Sequence, residues 1–279
     1  MTWRQVLAEV EAQLGDAVDA RRIVERASGH EGADLIVHLD ERAPDRAREE
    51  CARMVARRRA GEPLQYAIGG WGFRGLDLYV DGRVLIPRPE TEQVVDIALG
   101  ELRRLGAQAP LVVDLGTGSG AIALSIAVEV PGAQVWATDV SADALAVARA
   151  NLAGTGGRAA TRVRLVEGSW FDALPEELRG QVHLLVSNPP YVADGEALPA
   201  VVSEWEPPGA LRAGPTGLEA VGVIAAGATA WLARPAALVL EIAPHQAERA
   251  VDLARTAGFD DVEVRADLTG RPRALVGRV

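Results

Sequence analysis

LVVDLG (111–116), TGSG (117–120) and AIALSIAVEV (121–130) follow one another without a break. The first run reads as a buried strand and the last as a helix. Between them, glycines at 116, 118 and 120 let the backbone turn tightly and approach a ligand closely. A helix starting there offers free N–H groups to an anionic group. The spacing is GxGxG, not the GxGxxG of the dinucleotide fingerprint, so the loop by itself is weak evidence, and a tight turn without ligand is the lesser alternative. Its strand–loop–helix setting favours a ligand.

Outward from this loop the chain alternates. VWATDV (135–140), VRLVEG (163–168), HLLVSN (183–188) and ALVLEI (237–242) read as strands, with ADALAVARANL (142–152) helical between the first two and an apolar helix after Pro215. VEVRAD (262–267) and ALVGRV (274–279), joined by LTGRPR, read as an antiparallel hairpin. Alternating βα units predict an α/β, doubly wound, Rossmann-like sheet with its crevice at the strand C-termini. Upstream, residues 1–68 lack strand-like alternation and read as a small helical bundle. Thr2 with Gln5 forms a capping box there, Gly29 is a C-cap and Asp45 an N-cap. Residues 69–89 read as a connecting β-hairpin, with LDLYV and VLI on either side of Asp81-Gly82. The expected organisation is therefore 1–68, 69–89 and 90–279.

The 279 residues carry 29 Lys+Arg against 39 Asp+Glu, a net charge of −10. That balance excludes coating of nucleic acid by bulk charge. By count, residues 1–68 hold 11 basic and 13 acidic residues, and the remainder 18 and 26, so neither part is basic. One cysteine, Cys51, forms no intramolecular disulfide. No signal-like or membrane-spanning apolar run is present, and a cytoplasmic protein is expected. His30, His38, His183 and His245 show no ligand spacing with Cys or carboxylates, so no metal is expected. Arg57-Arg58-Arg59, Arg271 and Arg273 are readable as docking charges or as solvated surface.

Two further features narrow the chemistry. Asp139 ends the second strand about 20 residues past the glycine loop, where a carboxylate accepts from ribose hydroxyls. Asn188-Pro189-Pro190-Tyr191 directly follows the strand HLLVS. Two prolines restrict the backbone, so the Asn188 side-chain carbonyl and the Pro189 backbone carbonyl are held as acceptors. Two fixed acceptors suit an –NH2 group, and they stabilise positive charge developing on its nitrogen. Tyr191 offers a π face to substrate and to a cationic donor. Glu241, at the end of another strand, is either a substrate contact or a polar strand end.

DLGTGSG, Asp139 and NPPY in this order resemble a class I S-adenosylmethionine-dependent methyltransferase acting on a planar nitrogen. LIPRPETE (85–92), after a helical N-terminal region and a hairpin, resembles specifically the protein-(glutamine-N5) methyltransferases of peptide chain release factors. The resemblance spans essentially the whole chain. It implies S-adenosylmethionine as cofactor and the glutamine of a Gly-Gly-Gln motif in class I release factors as target, with Asn188, Pro189 and Tyr191 catalytic. Asn188, Pro189, Pro190 and Tyr191 would bind the glutamine. Gly116, Thr117, Gly118, Ser119, Gly120, Asp139, Trp170, Asn188, Glu90 and Thr91 would bind the cofactor, with Trp170 beside the adenine. Relatives often carry Asp where this chain has Ser169, which puts the adenine amino contact in question. The helical bundle would recognise the release factor, and a monomer that binds neither nucleic acid nor membrane is expected. The competing readings are an adenine-N6 nucleic-acid methyltransferase, a glutamine methyltransferase of a ribosomal protein, and a module that binds cofactor without turnover.

Overall fold

The structure, a computed structural model, describes residues 1–279, the side chain of Arg158 excepted. It divides into two units: Met1–Gly70 with Ala200–Trp205, and Trp71–Pro199 with Glu206–Val279.

The first unit is helical. It contains α1 (Trp3–Leu14), α2 (Ala17–Ser28), α3 (Ala33–His38), α4 (Asp45–Arg59) and α5 (Leu64–Ile68). Thr2 and Gln5 form the reciprocal capping box at the start of α1, and Gly29 ends α2 in the left-handed conformation. Trp3, Val6, Val10, Ile23, Val24, Leu35 and Met54 fill its core, as helical spacing requires. Asp45 is not the cap of α4. Pro44 holds the N-cap position, and Asp45 is the first helical residue, paired with Arg48. The arginine run is partly spoken for: Arg57 grips Glu62 through two hydrogen bonds, and Arg58 pairs with Asp19.

One grouping departs from expectation. Asp34 and His38 lie one turn apart on α3, His30 lies in the loop before it, and a ligand atom from each falls within 4.8 Å of the others. The two imidazole rings stack with centroids 3.9 Å apart.

The second unit opens with a hairpin, β1 (Trp71–Phe73) and β2 (Leu76–Leu78). Its turn is Arg74-Gly75, both with positive φ, one turn earlier than Asp81-Gly82. A two-residue turn with positive φ at both positions matches the twist of paired strands. Asp81 instead organises a local loop, accepting from the Arg83 backbone N–H and guanidinium. Residues 84–86 therefore form no strand.

The remaining elements are α6 (Pro89–Leu105), β3 (Leu111–Leu115), α7 (Ala121–Glu129), β4 (Gln134–Asp139), α8 (Ala142–Thr155), α9 (Gly157–Ala160), β5 (Val163–Glu167), β6 (Val182–Ser187), β7 (Val192–Ala193), α10 (Ala200–Ser203, in the helical unit), β8 (Arg212–Gly214), α11 (Glu219–Ala228), β9 (Leu232–Glu241), α12 (Ala247–Thr256), β10 (Asp261–Ala266) and β11 (Pro272–Arg278). Seven strands form one sheet in the order β10-β11-β9-β6-β3-β4-β5. β9, β6, β3, β4 and β5 run parallel, and the terminal hairpin inserts β11 antiparallel beside β9. Strands with both faces covered by helices read as continuous apolar runs. Val113, Leu115, Leu185, Leu238 and Leu240 accordingly lie wholly buried. From β3 the chain winds outward through β4 to β5, then returns to β6 on the other side. That reversal places the crevice at the ends of β3 and β6.

Candidate active site

The glycine loop leaves β3 and NPPY leaves β6, so both open into the crevice. Between the strand ends, the Ser187 hydroxyl donates to the Leu115 carbonyl at 2.6 Å, wholly buried. Gly116, Gly118 and Gly120 all have positive φ. Gly118 is held open by its own N–H, which donates to Asp139 Oδ2 at 2.8 Å. Asp139 Oδ1 accepts from the Ser141 N–H, while the Ser141 hydroxyl caps α8. Asp114 braces the loop from beneath, accepting from the Thr117 hydroxyl at 2.6 Å and the Ala123 N–H at 3.2 Å. Its other oxygen is buried without a hydrogen-bond partner among the described residues. Burial pushes the Asp114 carboxyl up to about 7, against the pull of those two hydrogen bonds.

These elements enclose a cavity of about 410 Å³. Thr91, Gly116, Thr117, Gly118, Ser119, Asp139, Trp170, Asn188 and Pro190, among the residues expected to bind ligand, line it. Glu90, Gly120, Pro189 and Tyr191 are not part of its wall. Trp170 carries φ 44°, a strained conformation for a large aromatic residue, and Gly116 faces the edge of its indole ring. Ser169 also lines the cavity.

Sequence reading missed the opposite wall. Arg83, Val84, Leu85 and Pro87 lie on it, with Pro207, Gly209 and Ala210. Glu206, only 4% exposed, ties the two segments together: it accepts from the Ile86 N–H at 3.1 Å and from the Arg88 guanidinium.

NPPY itself is tightly held. The Tyr191 carbonyl accepts from the buried Gln246 amide at 2.9 Å, and the Tyr191 hydroxyl donates to Glu241 at 3.2 Å. Burial and the Glu241 charge push the Tyr191 hydroxyl above its ordinary range, which keeps it a donor. Asn188 Nδ2 donates to the Thr91 hydroxyl at 3.2 Å, and that hydroxyl donates to Glu241 Oε2 at 2.7 Å. Burial raises the Glu241 carboxyl, opposed by the Thr91 and Tyr191 hydroxyls and by the Arg273 charge.

The cavity fits a nucleoside-bearing cation. Its volume is in the range of about 300–1,000 Å³ usual for small-molecule sites. Its polar groups include a carboxylate at a strand end, the backbone of a glycine loop, the Asn188 amide, several Ser and Thr residues and Arg83, and its walls include an indole. No imidazole or cysteine lines it.

The family profile described as "PrmC N-terminal domain" matches residues 4–69, and "Methyltransferase small domain" matches residues 96–206. The release factor glutamine methyltransferase of Burkholderia pseudomallei is 44% identical, covering 95% of this chain and 92% of its own. That of Deinococcus radiodurans is 40% identical over 100% of this chain and 99% of its own. Among solved structures, a methyltransferase from Pyrococcus furiosus superposes with TM-score 0.53 at 18% identity, covering 82% of this chain and 98% of its own. A T. thermophilus 16S rRNA methyltransferase in complex with AdoMet and guanosine gives TM-score 0.53 at 18% identity, over 75% of this chain and 49% of its own. At those identities the solved structures establish a class I methyltransferase fold.

Proposed function

The chain belongs to the release factor glutamine methyltransferases, and we propose on that premise how its crevice serves the reaction. The activity is transfer of a methyl group from S-adenosylmethionine to the side-chain amide nitrogen of a release factor glutamine. Full-length identity of 40–44% to enzymes of that name favours this substrate over a ribosomal protein or an adenine base.

S-adenosylmethionine, when bound, supplies an electrophilic methyl group on a sulfonium. Gly116–Gly120 and Asp139 would hold its nucleoside side, Trp170 its base, and Thr91 its amino-acid end. Asn188 Oδ1 and the Pro189 carbonyl would each accept one hydrogen of the glutamine –NH2. An amide nitrogen is a poor nucleophile, because its lone pair is delocalised into the carbonyl. Holding both hydrogens aims that nitrogen and stabilises the positive charge that grows on it. The proton becomes acidic only as the N–C bond forms, so no residue need remove it beforehand. The cavity wall, which carries no imidazole, agrees with that.

The observation that carries this reading is the Asn188 geometry: Nδ2 donates to Thr91, while Oδ1 has no hydrogen-bond partner among the described residues. Residues 1–68 would recognise the body of the release factor, and 90–279 would receive its Gly-Gly-Gln loop across the 69–89 segment. Within this reading the chain works as a cytoplasmic monomer that binds no nucleic acid. Among the described residues no helix is long and apolar enough to cross a membrane.

The test is transfer of label from methyl-labelled S-adenosylmethionine to three acceptors offered separately: a class I release factor, a ribosomal protein preparation and duplex DNA. Label confined to the release factor is expected. Label on DNA, with the factor untouched, would overturn the reading.

A further inference from the structure

A buried carboxylate controls which side of the Asn188 amide meets the substrate. Glu241 ends β9 and is completely buried, 150 residues along the chain from Thr91. Its two oxygens accept two hydroxyls, Thr91 at 2.7 Å and Tyr191 at 3.2 Å. A threonine hydroxyl has one hydrogen. Once Glu241 takes it, Thr91 can face Asn188 only as an acceptor, and the Asn188 atom at 3.2 Å must be the donor Nδ2. Asn188 lines the cavity, and Oδ1 is its side-chain atom without a hydrogen-bond partner among the described residues.

We propose that Glu241 is a positioning residue of this enzyme: through the Thr91 hydroxyl it fixes the Asn188 side-chain amide with its oxygen, not its nitrogen, toward the target. This rests on the glutamine-methylating reading given above. The consequence is selection by hydrogen-bond polarity. An acceptor from Asn188 beside the Pro189 carbonyl welcomes an –NH2 group and repels a carboxylate, so glutamine is taken and glutamate refused. A flipped Asn188 would present two donors and reverse the preference. Glu241 does all this without touching substrate.

Because Glu241→Gln is isosteric, it separates polarity from packing. The new amide can donate to Thr91, freeing that hydroxyl to donate to Asn188 Oδ1 and turn it away. Thr91→Val removes the relay, and Thr91→Ser restores it. In the full-length enzyme with a class I release factor, Glu241→Gln and Thr91→Val should each lower kcat by about 10- to 100-fold, the scale of a misoriented reacting group. S-adenosylmethionine affinity of Glu241→Gln, by calorimetry, should stay within threefold of wild type. Thr91→Ser should recover kcat to within a few-fold of wild type, and the double variant should be no slower than Thr91→Val. A carboxylate that only braced the fold would give multiplying losses in the double variant and lowered melting temperatures throughout. If Glu241→Gln does not fold, the Thr91→Val and Thr91→Ser pair decides. Near-normal kcat in Thr91→Val, or no recovery in Thr91→Ser, would overturn the proposal. Wild-type enzyme that leaves the factor's glutamine unmethylated would instead overturn the functional reading beneath it.

Discussion

Asn188 Nδ2 lies 3.2 Å from the Thr91 hydroxyl, joining the loop after β6 to the first turn of α6 across 97 residues of chain. The bond uses one of the two Nδ2 hydrogens and leaves the side-chain oxygen of Asn188, an acceptor, for the substrate. Removing it tests the site directly. Asn188→Ala should lower kcat on the order of 10²-fold, the usual cost of losing one preorganised polar contact to developing charge. S-adenosylmethionine affinity should change by no more than a few-fold. Steady-state kinetics beside calorimetry separate the two, and near-normal turnover would count against the assignment.

Ser187 makes a different kind of contribution. Its hydroxyl satisfies the Leu115 carbonyl where β3 and β6 end, with both residues wholly buried. Ser187→Ala leaves that carbonyl without its side-chain donor. It should cost about 1–3 kcal/mol of stability, measured by urea unfolding. Since it loosens the two loops against each other, kcat should fall as well.

Asp114 predicts a pH dependence. Its carboxyl rises from an ordinary 3.8 to about 7 in the fold. Below pH 3.8 both folded and unfolded chains hold the proton, and Asp114 makes no difference to the pH slope. Above it, the unfolded chain ionises first, so stability declines with rising pH until about 7 and then levels. Denaturation midpoints across this window should show that decline in wild type and a shallower one in Asp114→Asn. Equal slopes would contradict the burial argument.

Ile36 and Val37 stand 60% and 77% exposed on α3 in the helical unit. If this unit recognises the factor's body, Ile36→Asp with Val37→Asp should raise KM for the intact release factor several-fold. KM for a short Gly-Gly-Gln peptide should not move. Parallel changes for both substrates would reject a recognition role for this face.

The fold was legible because its signals are local. The glycine loop, the acid at the end of β4 and NPPY after β6 each sit beside the apolar strand that positions them. So does the terminal hairpin, whose alternation survives in VEVRAD. The first hairpin was misplaced because Asp81-Gly82 has turn chemistry but no strand to return on. Ile86 gives its N–H to Glu206 instead, 120 residues away. Long separation also hid the rest. Glu206 looks like an ordinary charged residue and Glu241 like a strand end with two readings, and only the fold makes them a tie between two segments of one cavity wall and a relay to Asn188. The His30–Asp34–His38 group escaped notice because only Asp34 and His38 share a helical face, and His30 reaches them from the loop before α3.

The most direct measurement is tandem mass spectrometry of a class I release factor after incubation with this enzyme and S-adenosylmethionine. The account predicts one added methyl group, located on the side-chain nitrogen of the Gly-Gly-Gln glutamine and absent when Asn188→Ala replaces wild type. A methyl group on any other residue of the factor, or none at all from active, cofactor-binding enzyme, would contradict it.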